Sequence, residues 1–219
     1  MKMRIASLSL LALCLTLAAL PAMAQTDVYD NGPVNGQVDA WTVNFGFAVS
    51  DTFHISSATT LTGLDFWAWL EPGDTATSVE VAIGSTGYFT NDIMDTTVSL
   101  TQSNCFSNNF GLDVCNEHAT LNQAIGSGNY FLTLENAATV EGEPVYWDEN
   151  SGVGCTTTGC PSSAQENTLG TVPSEAFTLS GSGTTTSTTS GTSTPEPSSI
   201  MLFGSGILGL AGVLRRKLF

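Results

Sequence analysis

No lysine or arginine occurs between Gln25 and Thr194, although every Asp and Glu of the chain except Glu196 lies there. That absence excludes mechanisms needing a fixed side-chain cation in this stretch, such as a phosphate clamp, a Schiff-base lysine or a guanidinium beside an oxyanion. It also excludes internal Lys or Arg salt bridges. With a formal net charge of −15, the surface repels phosphate backbones and anionic headgroups, so nucleic acid is not an expected partner. Histidine is scarce as well, and only His54 and His118 could serve a Ser-His-Asp arrangement. His54, between Phe53 and Ile55, falls on the solvent side of a strand, and His118, after Asn116 and Glu117, reads as a polar-loop residue. Two carboxylates hydrolyse glycosides without a basic group, and Asp65, Glu80, Asp148 and Glu149 are the candidates. Nothing in their context singles out a pair, so neither an enzyme nor a catalytic residue is expected.

Metal motifs are absent too. There is no Asp-x-Asp-x-Asp-Gly loop and no Gly-Asp nonapeptide repeat, and Asp92 with Asp95 or Asp148 with Glu149 are weak pairs. No metal or cofactor is expected, structural calcium being the minor alternative.

The five basic residues are all at the ends: Lys2 and Arg4 at the start, Arg215, Arg216 and Lys217 near the finish. Residues 1–24 have a charged start, an apolar core from Ile5 to Leu20 and an Ala22-Met23-Ala24 cleavage site, the three parts of a secretory signal. Mature chain is expected to begin at Gln25. Near the other end, residues 199–214 form an expected transmembrane helix, whose core Ile200–Leu214 covers roughly 23 Å at about 1.5 Å per residue. That is short for a bilayer core of about 30 Å, which suits a transient span, and the basic stub belongs in the cytoplasm. Ser205 and Gly209 form a small-xxx-small pair suited to a helical partner.

Pro195-Glu196-Pro197 stands directly before this glycine-rich span, and Arg215-Arg216-Lys217 closes it. In that order the three features resemble a PEP-CTERM sorting signal. The resemblance, which covers about the last 26 residues, implies an exosortase-type membrane protease as partner. It also implies release or transfer toward the cell surface or the exopolysaccharide matrix of a bacterium. The physical setting agrees, because two prolines around a glutamate hold the backbone extended at the outer membrane face.

Residues 25–180 are long enough for one domain with a real core. Period-two alternation marks Trp41 to Ala48 and Val79 to Ile83 as strands. Phe53-x-Ile55, Leu64 to Leu70, Val98 to Leu100, Tyr130 to Leu134, Val145-x-Trp147 and Phe177-x-Leu179 add short ones. Turn clusters such as Asp30-Asn31-Gly32-Pro33 and Glu71-Pro72-Gly73-Asp74 separate them. The fold class expected is all-β, an antiparallel jelly-roll-like β-sandwich. The whole run also loosely resembles bodies found ahead of such sorting tails, which are β-sandwiches without assigned chemistry. Residues 181–194 contain only Gly, Ser and Thr and read as a flexible linker.

Four cysteines remain after export, and an oxidising compartment favours disulfides. Three connectivities exist; the local ones, Cys105–Cys115 and Cys155–Cys160, are favoured because each would staple a loop poor in apolar residues. Wide spacing and one nearby imidazole argue against zinc. Trp67 and Trp69 share one face of a strand apolar on both sides, so they are either core or, if exposed, a glycan-stacking platform. The expected function is that of a non-enzymatic exported surface or matrix protein, with a carbohydrate-binding module acting on exopolysaccharide as the alternative.

Overall fold

Apolar residues of the segment Thr59–Leu70 fall at Leu61 and then at Leu64, Phe66, Ala68 and Leu70, all fully buried. An inward phase that moves from odd to even needs one extra residue, and a β-bulge stands there, the register shifting between Leu61 and Gly63. The outward residues of the same strand are Asp65, Trp67 and Trp69. The computed structural model describes residues 26–150 and 162–183. Twelve strands run through them: β1 Thr26–Asp30, β2 Ala40–Thr42, β3 Ala48–Ile55, β4 Thr59–Leu70, β5 Ala76–Gly84, β6 Met94–Ser107, β7 Asp113–Ile125, β8 Gly128–Thr139, β9 Tyr146–Asp148, β10 Ala164–Glu166, β11 Gly170–Val172 and β12 Phe177–Gly183. Among the described residues there is no helix, and none that could cross a membrane.

All pairings are antiparallel and follow one path, β1-β12-β4-β7-β6-β5-β8-β3-β10-β11, with β9 bridging β4 and β2. Strand β6 makes the path continuous. It pairs with β5 up to Ser99 and with β7 from Leu100 onward, so the sheet curls over one core. Six rings cross that core in a chain of contacts: Tyr130, Phe53, Tyr29, Phe177, Trp147 and Phe66, with successive centroids 5.5, 5.9, 5.5, 5.6 and 6.2 Å apart. They come from β8, β3, β1, β12, β9 and β4, so the rings join both halves of the curl. Each such pair adds about 0.5–1.5 kcal/mol beyond its area burial.

Two expectations change. The alternation from Trp41 to Ala48 is not one strand: Phe45 and Gly46 have φ of 55° and 88°, which turns the chain between β2 and β3 and leaves Phe45 exposed. Gly181–Gly183, read from sequence as the start of the linker, are instead the last rungs of β12, opposite Leu61, Thr60 and Thr59. Gly181 is required there, since a Cβ would stand 2.7 Å from Thr59 Oγ1 and 2.8 Å from Val28 Cγ1.

Candidate functional site

The outer face of β4 carries Asp65, Trp67 and Trp69 opposite His118, Asn116 and Val114 of β7. His118 is thus a strand residue, not a loop residue, and its Nδ1 lies 3.0 Å from Asp65 Oδ1. Phe106 of β6 leans on Trp67 at 6.0 Å, and Phe110 stacks on Trp69 at 5.5 Å and 25°. The loop after β1 folds across this face. Asp148 fixes it, accepting from Asn35 N at 2.7 Å and Gly36 N at 2.8 Å, and from Trp69 Nε1 at 2.5 Å. Gly36 is needed for the close approach, because a Cβ would meet Phe106 Cζ at 2.8 Å. Consequently Trp69 is only 6% exposed, while Trp67 remains half-buried. Beside them lies a hollow of about 280 Å³ lined by Val38, Asp39, Ala40, Trp69, Phe110, Leu112 and Tyr146.

A second concentration of chemistry is buried. Asp51 occupies the inward phase of β3 with Val49, Phe53 and Ile55 and is fully enclosed. It accepts from Thr52 N at 2.6 Å, Glu175 N at 2.7 Å, Asn31 Nδ2 at 3.1 Å, Ser174 Oγ at 3.4 Å and Ser162 Oγ. Asn31, also fully buried, donates to the Glu175 carbonyl at 2.6 Å and accepts from Tyr29 OH at 2.7 Å. Burial still outweighs these donors and pushes the Asp51 carboxyl up to about 6. The same cause raises Asp148 to about 6 against its three donors, and Glu149 above the usual range.

Glu117 and Glu175 differ from these, since none of their carboxyl oxygens has a hydrogen-bond partner. Glu117 takes the inward phase of β7 with Cys115, Ala119 and Leu121, and desolvation alone lifts it to about 8. Glu175 is completely buried; desolvation first, then the negative charges of Asp51, Glu149, Asp148 and Asp39, hold it well above its ordinary value. Among the described residues no three Asp, Glu, His or Cys side chains are grouped so that they could hold a metal ion.

Residues 193–217 match the family model of the PEP-CTERM protein-sorting motif. The chain carries a PEP-CTERM sorting signal. No curated protein matches the chain. The matched stretch contains Pro195, Glu196 and Pro197 and runs through Arg215, Arg216 and Lys217. PEP-CTERM signals are recognised by exosortase, a membrane protease, and imply an exported protein that passes through a membrane-anchored sorting intermediate.

Around this PEP-CTERM signal the other sequence candidates distribute unevenly. Cys105 and Cys115 form a disulfide between β6 and β7. Cys155 and Cys160 lie outside the described residues, as do the cleavage-site residues Ala22 and Ala24, the six sorting-motif residues and the span 199–214. Trp67 and Trp69 are neighbours on the outer face, as their spacing requires. The glycosidase candidates are not brought together: Asp65 on β4 pairs with His118 on β7, and Glu80 on β5 accepts from Asn136 Nδ2 at 2.8 Å. Asp148 and Glu149, adjacent in an extended chain, point to opposite faces. His54 is bound to Asn129 on the solvent side of β3, at 2.8 Å. Asn31, Asp51, Glu117 and Glu175 were not singled out from sequence, although three of them sit in the inward phase of an apolar alternation.

Proposed function

We propose that the body is a non-enzymatic component of the cell surface or extracellular polymer, an antiparallel β-sandwich delivered by its PEP-CTERM signal. The observation that carries this reading is the sorting motif at 193–217. A body without Lys or Arg supports it, because its self-repelling acidic surface is suited to stay soluble and to avoid anionic membranes. The intact mass of the protein from each cell fraction tests it. A surface or matrix form starting at Gln25 and ending near Pro197 is expected. A chain still ending at Phe219, held quantitatively in the inner membrane, overturns the reading. Trypsin has no site between Arg4 and Arg215, so the measurement must be made on the undigested chain.

A second reading, binding of exopolysaccharide, is favoured by one observation: Trp67 is only half-buried and lies against the exposed Phe106, with Asn116 and the Asp65–His118 pair next to it. Sugar stacking uses a partly open aromatic ring face among polar groups. In affinity gels containing the host's polymer, Trp67→Ala is expected to weaken retardation about tenfold with folding intact. Retardation unchanged by Trp67→Ala, or absent in the parent protein on every polymer, removes this reading.

A further inference from the structure

Among the described strands β2 pairs only with β9, which leaves its other edge open. Val43 N donates to Val145 O at 2.9 Å and Glu149 N to Asp39 O at 3.3 Å, so residues 39, 41 and 43 turn their backbone groups toward β9. In an antiparallel ladder the alternate residues turn theirs away, which sends those of Ala40 and Thr42 to the open edge. Along that edge lies a hollow of about 330 Å³, walled by β2 on one side and by Phe47, Glu166, Thr168 and Leu169 on the other.

The wall away from β2 is firmly built. Glu166 Oε2 accepts from Thr168 N at 2.9 Å, Thr168 Oγ1 at 2.7 Å and Leu169 N at 2.7 Å, which closes the turn between β10 and β11. Asn167 ties that turn to the start of β3: its N donates to Ala48 O at 3.0 Å and its Nδ2 to Gly46 O at 3.0 Å, while its Oδ1 accepts from Ala48 N at 3.2 Å. Desolvation works against a charge on Glu166, but the bonds from Thr168 and Leu169 outweigh it and hold the carboxyl below its ordinary value. Glu166 is therefore an ionised acceptor, only 3% exposed, and its other oxygen, Oε1, has no partner. On the β2 wall the indole Nε1–H of Trp41 is also unpaired. Leaving such groups unmet is costly. One is a pure donor and the other a pure acceptor, yet they do not bond to each other, so a third group carrying both functions is needed to complete them.

We propose that this hollow binds one saccharide unit, with sugar hydroxyls accepting from Trp41 Nε1 and donating to Glu166 Oε1. A hydroxyl is donor and acceptor at once, and a sugar ring adds an apolar C–H face, for which the exposed Phe47 and Leu169 form the rim. Neither orphaned atom touches bulk water, so the sugar reaches them as the exposed rim side chains change rotamer, a motion of picoseconds to nanoseconds. An extended peptide suits the edge less well. Strand β2 has three residues, and Ala40 N is already taken by Asp39 Oδ1 at 2.9 Å, so an added strand would gain too few ladder bonds. The ligand class is that of the exopolysaccharide reading, on which this site rests, but its residues are none of those around Trp67.

The test follows the indole N–H signals of the four tryptophans in the ¹⁵N-labelled mature protein. The probes are di- to tetrasaccharide fragments of the host's exopolysaccharide, added up to about 10 mM. Trp41→Phe and Trp67→Ala each identify one signal by removing it. The Trp41 signal is expected to shift and saturate. Glu166→Gln keeps an oxygen to close the turn but puts an NH2 group at the free position, and it is expected to weaken the Trp41 titration about tenfold. Leu169→Ser, on the exposed rim, is expected to weaken it severalfold. A Trp41 signal unmoved by every fragment overturns the proposal and leaves a bridging water as the hollow's occupant; movement of the Trp67 signal alone in that experiment keeps the exopolysaccharide reading and removes this site. A full Trp41 response in Glu166→Gln overturns it too. So does a Trp41 signal that ignores saccharides but shifts with an extended β-branched peptide, which makes the edge a strand-addition site.

Discussion

Replacing Glu117 with methionine is expected to stabilise the protein by about 3–5 kcal/mol more at pH 8 than at pH 4. The parent carboxyl points into the core from β7, with Phe66 of β4 and Gln102 of β6 as its cross-strand neighbours and no hydrogen bond to either oxygen. Its folded value of about 8 stands above the unfolded value of 4.5. Between those limits the folded chain holds a proton that the unfolded chain has released. The favourable contribution is therefore complete below pH 4.5 and is lost as pH rises toward 8, at about 1.4 kcal/mol per pH unit. Methionine has similar length and no charge to desolvate, so it removes this slope. Denaturant midpoints of both proteins from pH 4 to 8 read the effect. A parent midpoint that rises with pH over this window, or a variant less stable than the parent at pH 8, contradicts the assignment.

A buried acid such as Glu117 breaks the pattern by which a sequence discloses its strands. The strand phases of β5, β8 and β12 are legible because alternating Leu, Val, Ile and Phe mark the inward face, whereas β4, apolar on both sides, leaves its inward face open. Strand β7 is not legible, since its inward row Cys115, Glu117, Ala119 and Leu121 interrupts the apolar signal with an acid, and its outward row of Asn116, His118 and Thr120 looks like loop. Asp51 hid in the same way between Val49 and Phe53. Glu175 read as the flank of a strand. Charged residues are so seldom fully buried that a pattern reader assigns them to solvent by default. In a body without Lys or Arg that default fails for a physical reason: carboxylates that do enter the core cannot be paired with Lys or Arg and must be met by backbone amides, hydroxyls or protons. Trp67 and Trp69 illustrate a different limit. Their spacing fixed a shared face, but whether that face is open depended on the loop held by Asp148, a contact between residues 112 positions apart. The sorting signal was readable in full because its features are contiguous.

Asn31→Ala is expected to cost about 3–5 kcal/mol, near the upper end for a polar-to-alanine change. From sequence Asn31 belongs to a surface turn, yet it is completely buried one residue after β1. Its amide joins the Asp51 carboxylate, the Glu175 carbonyl and the hydroxyl of Ser174, while its oxygen takes the Tyr29 hydroxyl. Alanine leaves a buried carboxylate with one donor fewer and strands the Tyr29 hydroxyl in the aromatic chain of the core. Asn31→Asp is expected to be worse at pH 7 than at pH 5, because it places a second carboxylate against Asp51. The consequence for the fold is directional. Asn31 follows β1 and Glu175 precedes β12, and these two strands pair with each other at one edge of the sheet. Loosening the knot therefore releases the first strand of the body and the strand that leads to the sorting tail together. Amide hydrogen exchange in Asn31→Ala is expected to accelerate first in β1 and β12 and last in β5 and β8. Uniform acceleration across the sheet would instead mean that the body unfolds only as a whole.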